Sequence, residues 1–321
     1  MLLGASGVTG LFAGSKVTGF GEVWAVLTGG GDAYIRQVVD TRIPRTVVGM
    51  VVGGALAVSG VVIQGITRNP LGEPGLLGVG VGASASVVTA TAFFGFTGAA
   101  TSAATVWVAL PGAVAAVLVV IVLGRRSGSD SVVPLVLAGA VVTAVLTAYV
   151  NAVVLSDPMT FDSYRYWVVG SLAGANFPGL AAAAPALALG GLAAVVLARS
   201  LDVLALGDAQ ATALGIPVRW VRIGGIAAAT LLAAAATAVT GPIGFVGLAV
   251  PHVLRPLLGA DHRWLVPASF LGGGVMLVVA DIVARTVLRP AELLVGIVTA
   301  FVGAPFLLWA LRRGAAGGGE R

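Results

Sequence analysis

Cysteine is absent from the 321-residue chain, which excludes disulfides and thiolate metal sites. The two histidines, His252 and His262, are too few for a protein-built metal cage. Charge is scarce: Asp, Glu, Lys and Arg make up 10% of the residues against 58% hydrophobic ones, and the mean hydropathy is +1.04. A water-soluble globule of that composition would leave far more apolar surface than it could cover. Lys16 is the single lysine beside seventeen arginines, and no basic run exceeds two residues. The pI near 10.4 therefore comes from arginines in loops between apolar segments and not from a nucleic-acid-binding patch. The P-loop pattern is missing. GVGVG at 78–82 superficially matches a dinucleotide loop, but apolar helical segments flank it and the next acid after Glu73 is Asp130. No ATP site, catalytic group or cofactor of the chain's own is expected.

What the chain has is long charge-free runs, at 46–67, 74–124, 131–156, 166–198 and 223–254. Each exceeds the roughly 20 residues that a helix needs to cross the hydrocarbon core. Lipid cannot hydrogen-bond a peptide group, so each run must be helical, with breaks where Gly, Pro and charge cluster. The fold class is all-α: one membrane domain over 1–321, a polytopic bundle of about ten helices. The predicted spans are 1–14, 46–66, 76–95, 103–123, 132–155, 178–198, 221–240, 242–258, 264–285 and 293–311. The first is too short and glycine-rich to cross alone; it reads as the outer end of a truncated helix, through a start assigned too far downstream or a shortened chain. With cytoplasmic termini, Arg68, Arg125, Arg126, Arg199, Arg219, Arg222, Arg255, Arg263, Arg312, Arg313 and Arg321 face inward, eleven of the eighteen basic residues. The positive-inside rule favours this orientation. Lys16, Arg36, Arg42, Arg45, Arg165, Arg285 and Arg289 then face out.

Helices in lipid gain little from apolar burial against one another, so small residues that let backbones approach must supply the packing. Gly49 and Gly53, Ala55 and Ser59, and Gly78 and Gly82 each stand four apart, and Gly272 to Gly274 line another helix. They serve packing within one bundle or a contact between subunits. No Asp, Glu, Lys or Arg falls in the middle of a span, which argues against an ion-coupled carrier with a midplane site. Gln64 and Asn151 are expected to bond between helices or, less in keeping with their setting, to touch a ligand. Asp281 and Arg285, four apart, pair on one helix face or snorkel to the surface. His252, between two prolines, is expected to be structural.

Seven stretches carry a family resemblance. They are TRIPRT (41–46), GGALAVSGVVIQGITRNPLGEPGLLGV (53–79), WVVGSLAG (167–174), ALGDAQATALGI (205–216), GPIGFVGLAVPHVLRPLLGADHR (241–263), ADIVAR (280–285) and ELLVGIVTAFVGAPFLLW (292–309). In this order they resemble the FecCD family, the permease subunits of ABC importers for ferric siderophores, haem and vitamin B12. The resemblance implies the type II ABC importer permease fold and a channel shared with a second permease copy, identical or related. It also implies two cytoplasmic ATPase subunits, which hydrolyse ATP with Mg, and an outer substrate-binding protein. Arg42, Arg45 and Arg285 match positions that meet glutamates of that binding protein, where bidentate pairs fix orientation; for Arg42 and Arg45, anchoring to lipid headgroups is the plainer alternative. Asn69 and Leu71 match an inner gate, or lie in a re-entrant turn without a gating role. Residues 199–219 form the cytoplasmic loop in which Gly207, Asp208, Ala211, Leu214 and Gly215 match the coupling helix that meets the ATPase. Asp208 also suits an N-cap. A second gate element before the fifth span does not align cleanly with Ser129 and Ser131. The implied cargo is a ferric siderophore, with cobalamin or haem as the alternative within the class. A secondary carrier or a membrane scaffold stands outside it.

Overall fold

A computed structural model describes residues 20–30, 32–96, 103–125, 133–288 and 291–305. The segment 1–14, Lys16, Arg126, Ser129, Ser131, Arg289, Arg312, Arg313 and Arg321 lie outside them. In chain order come α1 (Phe20–Leu27), α2 (Ala33–Thr67), a 3-10 turn (Pro74–Leu77), α3 (Val79–Phe94), α4 (Ala103–Arg125), α5 (Val133–Ser156), α6 (Pro158–Trp167), α7 (Phe177–Leu204), α8 (Asp208–Ala213), α9 (Val218–Thr240), α10 (Val246–Leu258), α11 (His262–Thr286) and α12 (Val295–Pro305). Six of them, α2, α4, α5, α7, α9 and α11, are long and apolar enough to cross a membrane, while α3, α10 and α12 are shorter apolar helices. These nine fall on the sequence-predicted spans from 46–66 onward.

The bundle is organised around α2. Every residue from Val52 to Ile66 is buried, and α11, α9, α10 and α7 surround the helix. Such all-round burial needs backbones in near contact, and glycine provides it. A Cβ on Gly53 would lie 2.2 Å from the Gly273 carbonyl oxygen of α11, and one on Gly60 would lie 1.8 Å from that of Gly247 in α10. The Gly53 stripe thus packs inside this chain. Directional bonds fix the register: Ser59 Oγ donates to the Ala229 carbonyl at 2.7 Å and Gln64 Nε2 to that of Gly247 at 3.1 Å. Gln64 therefore bonds between helices, as its sequence setting predicts. Asn151 does not, because it lies on the exposed face of α5.

The helix is also longer than its apolar run. Arg36, Asp40, Arg42 and Arg45 end the hydrophobic stretch without ending the helix, which starts at Ala33 and passes through Pro44. Its 35 residues measure about 50 Å, so the polar end projects past the hydrocarbon. At the other end Arg68 adopts the left-handed conformation, φ 49°. Pro70 then disfavours a helical Asn69, and the chain turns back.

Non-helical backbone inside the bundle is tolerated only where protein satisfies it. The stretches 168–176, between α6 and α7, and 241–245, between α9 and α10, show how. Ser171 N–H donates to the Thr240 carbonyl at 2.7 Å and Gly296 N–H to that of Gly170 at 3.2 Å, while Phe245 N–H, at the α10 N-cap, donates to Glu73 Oε1 at 2.9 Å. The span predicted at 242–258 accordingly contains a helix of only 13 residues. Helix α6 has no counterpart among the predicted spans, because its charges interrupt the hydrophobic runs. Its start is well marked, with Pro158 in the first turn and Asp157 accepting from Thr160 N–H at 3.0 Å.

A methyl group at the Gly60–Gly247 contact, 1.8 Å from the facing carbonyl oxygen, should force the central helices apart. Gly60→Ala is expected to destabilise the protein by about 3 kcal/mol or more. Gly191→Ala, where a Cβ meets nothing within 4 Å, should leave the thermal unfolding midpoint in detergent unchanged or slightly raised.

Candidate functional site

Three groups of residues occupy the two ends of α2. At the end that loop charge assigns to the outside, α2 and α11 bring Arg42, Arg45 and Arg285 together around a recess of about 440 Å³, also lined by Tyr34, Asn176 and Glu292. Arg45 and Arg285 share one carboxylate within the chain. Asp281, 2% exposed, receives Arg45 Nη2 at 2.7 Å on one carboxylate oxygen and Arg285 Nη2 at 3.0 Å on the other. Glu292 Oε2 takes Arg45 Nη1 at 2.9 Å. The Asp281–Arg285 pair read from the i, i+4 spacing is therefore present, and Arg45 extends it into a triad. Arg285 is itself buried, as is Arg42. Asp40 and Glu292 border the same recess, so the outward excess of positive charge is largely balanced where it concentrates. Charges withdrawn from water are stable only as a set.

At the opposite end lies the turn TRNPLGEP. Asn69 is exposed and Leu71 half-buried. Asn69 Oδ1 accepts from Leu71 N–H at 2.9 Å, and the Asn69 carbonyl accepts from Gly72 N–H at 3.0 Å. This Asx-turn explains why asparagine precedes the proline. The turn closes one side of a cavity of about 350 Å³ lined by Ile66, Asn69, Glu73, Leu76, Val136 and Ile226. Burial pushes the Glu73 carboxyl up from its ordinary 4.5, and the Phe245 N–H partly offsets this.

The third group joins the turn to the short helix α8. Asp208 is not the N-cap. Gly207 is, at φ 112°, and the Asp208 side chain makes no capping bond. Its carboxylate is taken by two arginines instead: Arg68 Nη2 at 2.5 Å and Arg222 Nη2, from the second turn of α9, at 2.8 Å. A side chain at 207 would collide with Gln210, since its Cβ would lie 2.5 Å from Gln210 Oε1, and it would approach Arg68. Ala211 is fully buried, while Leu214 is 63% exposed, and Leu206 before α8 and Trp220 at the start of α9 are exposed too. Gly215 ends the motif at φ 79° with no neighbour against it. The five residues matched in 207–215 thus form one compact feature with an anchored inner face and an apolar outer one.

Sequence reading misses Arg68, Arg222 and Glu73 as members of this arrangement. The basic residues are visible, but their partner lies 140 positions from Arg68, and only the fold joins them. Two measurements test the electrostatics. Asp281→Ala removes the carboxylate that buried Arg285 pairs with and leaves Arg45 to Glu292; it is expected to cost about 3 kcal/mol, read as loss of folded protein after detergent extraction. A carboxyl raised in the fold, like that of Glu73, favours folding fully below its unfolded value and loses that contribution as pH rises through the folded one. Glu73→Gln should therefore be more stable than the parent at pH 8, with the difference closing toward pH 4.5.

The chain matches the model of the FecCD transport family over residues 2–313. It is 42% identical over 282 residues to the ferric enterobactin transport system permease protein FepD of Escherichia coli, covering 88% of this chain and 83% of that one. It is 36% identical over 302 residues to the hemin transport system permease protein HmuU of Yersinia pestis, covering 94% and 90%. It is 38% identical over 271 residues to the cobalamin import system permease protein BtuC of Halobacterium salinarum, covering 84% and 72%. Among solved structures, a chain described as an inward-facing transporter of the metal-chelate ABC type superposes with a TM-score of 0.82 at 29% identity, covering 97% and 96%.

Proposed function

The chain belongs to the FecCD transport family, as a multi-pass inner-membrane permease of an ABC importer of the iron-siderophore, haem or cobalamin class, and from that premise we propose that its cargo is a ferric siderophore. The permease is not itself catalytic: the ATPase is a separate subunit, and a binding protein delivers the substrate. The observation that carries the cargo assignment is the 42% identity to a ferric enterobactin permease over most of both chains. The Fe(3+)-hydroxamate and Fe(3+) dicitrate permeases, at 39% and 36% identity, support the same class. Iron here is cargo, and the residues of this chain need only let the chelate pass.

In this reading two permease copies enclose the path, and two ATPase subunits sit beneath them. Exposed faces of α4, α5 and α7 are available to the second copy and to lipid. The turn around Asn69 and Leu71 narrows the exit. Helix α8 seats in an ATPase subunit through Leu214 and its apolar neighbours, and the buried Ala211 and the ion-paired Asp208 hold it to the membrane domain. Closure of the ATPases moves α8 as a rigid piece. At the other end, glutamates of the binding protein approach the recess of Arg42, Arg45 and Arg285. Because Asp281 and Glu292 already hold Arg45, docking there is an exchange of carboxylate partners, which favours orientation and rate over affinity.

In cells that lack other iron importers, this permease with its own ATPase and binding protein should restore uptake of a ferric siderophore and leave haem and cobalamin uptake unsupported. Uptake of haem or cobalamin alone would replace the siderophore assignment. Arg42→Glu combined with Arg45→Glu should slow association of the binding protein with the reconstituted complex by about tenfold or more at low salt, and an unchanged association rate counts against the docking role.

A further inference from the structure

The gate turn and the coupling helix are far apart in sequence, yet one ion pair joins them. Arg68 is the last residue of the α2 cap, and its main chain continues directly into Asn69. Its guanidinium holds Asp208 Oδ1 at 2.5 Å, and Asp208 is the first residue of α8. We infer that Arg68 is the positioning residue that transmits displacement of α8 to the Asn69–Leu71 turn. The inference rests on the permease reading above and names the part that would convert ATPase closure into gate movement.

Three observations support it. Arg68 is a non-glycine residue at φ 49°, where glycine would be easier to accommodate. An arginine kept there in spite of that strain points to a use for its side chain other than stability. The Arg68 and Asp208 side chains are 38% and 41% exposed, so the pair adds little to stability and its worth lies in the connection. Lastly, the turn is held at both ends. Arg68 ties its start to α8, whereas Glu73 ties its end to the N-terminus of α10 through Phe245 N–H at 2.9 Å. A push that reaches Arg68 with Glu73 fixed rotates residues 69–72 about that second anchor. Arg222 shares the Asp208 carboxylate at 2.8 Å, which keeps α8 oriented on α9 while it moves.

The position lends itself to a clean variant. Arg68→Gly relieves the left-handed backbone and removes only the side chain. In the complete complex with ATPase and binding protein in proteoliposomes, it should keep the parental unfolding midpoint or raise it and should keep ATP hydrolysis stimulated by the binding protein. Ferric siderophore imported per ATP should fall about tenfold. Arg68→Lys should recover part of that ratio. The chain has no cysteine, so Arg68→Cys with Asp208→Cys can be bridged by a bis-maleimide of similar reach, and bridging should restore import relative to the unbridged protein. Parental import per ATP in Arg68→Gly, or a bridge that blocks import, overturns the link and leaves the permease reading intact. Failure of the parental complex itself to import overturns both.

Discussion

The structure depends on backbone-to-backbone contact along α2. In lipid the apolar side chains that would drive a soluble core together are equally content against acyl chains. What selects one arrangement is how closely helices can approach and which polar groups they satisfy. Gly53 against Gly273 and Gly60 against Gly247 bring α2, α11 and α10 into van der Waals contact, and Ser59, bonded to α9, and Gln64, bonded to α10, set the register of α2. Around that axis the remaining helices need less specificity, and α5 and α7 leave most of their surface outside the chain's own core.

The same helix connects the two ends at which the candidate residues gather. Arg45 and Arg68 lie 23 positions apart on α2 and its cap, a distance of about 35 Å in a helix. One end enters the buried triad with Asp281 and Arg285. The other enters the pair with Asp208. Along α2 no charged residue stands between Arg45 and Arg68, and its charges lie where the rod leaves the hydrocarbon, as the cost of burying ions requires. The two clusters differ in kind: the triad is buried and structural in its energetics, whereas the Asp208 pair is half-exposed and can form and break with little consequence for folding.

The spans are legible because lipid imposes a single rule on every peptide group, and the rule leaves long apolar runs in the sequence. Helix ends are less so. Hydropathy marks where the chain leaves the hydrocarbon, and α2 continues as a helix beyond that point to Ala33. The i, i+4 pair of Asp281 and Arg285 is readable from spacing, but Arg45, 236 positions from Asp281, is not. Asn151 reads as an interhelical donor and lies on an exposed face, since periodicity does not tell which side of a fully apolar helix meets the bundle. Asp208 has the chemistry of an N-cap, yet Gly207 takes that place because its backbone, at φ 112°, suits glycine and leaves the carboxylate free for two arginines.

The chain is a conduit whose movement is supplied from outside it. Vesicles that contain this chain alone, and vesicles that contain it with its ATPase subunits and binding protein, can be compared for accumulation of a labelled ferric siderophore against its gradient. Accumulation is expected only in the second set and only with ATP inside the compartment that holds the ATPase. Uphill accumulation by the chain alone, driven by an imposed proton or sodium gradient, would contradict a passive conduit.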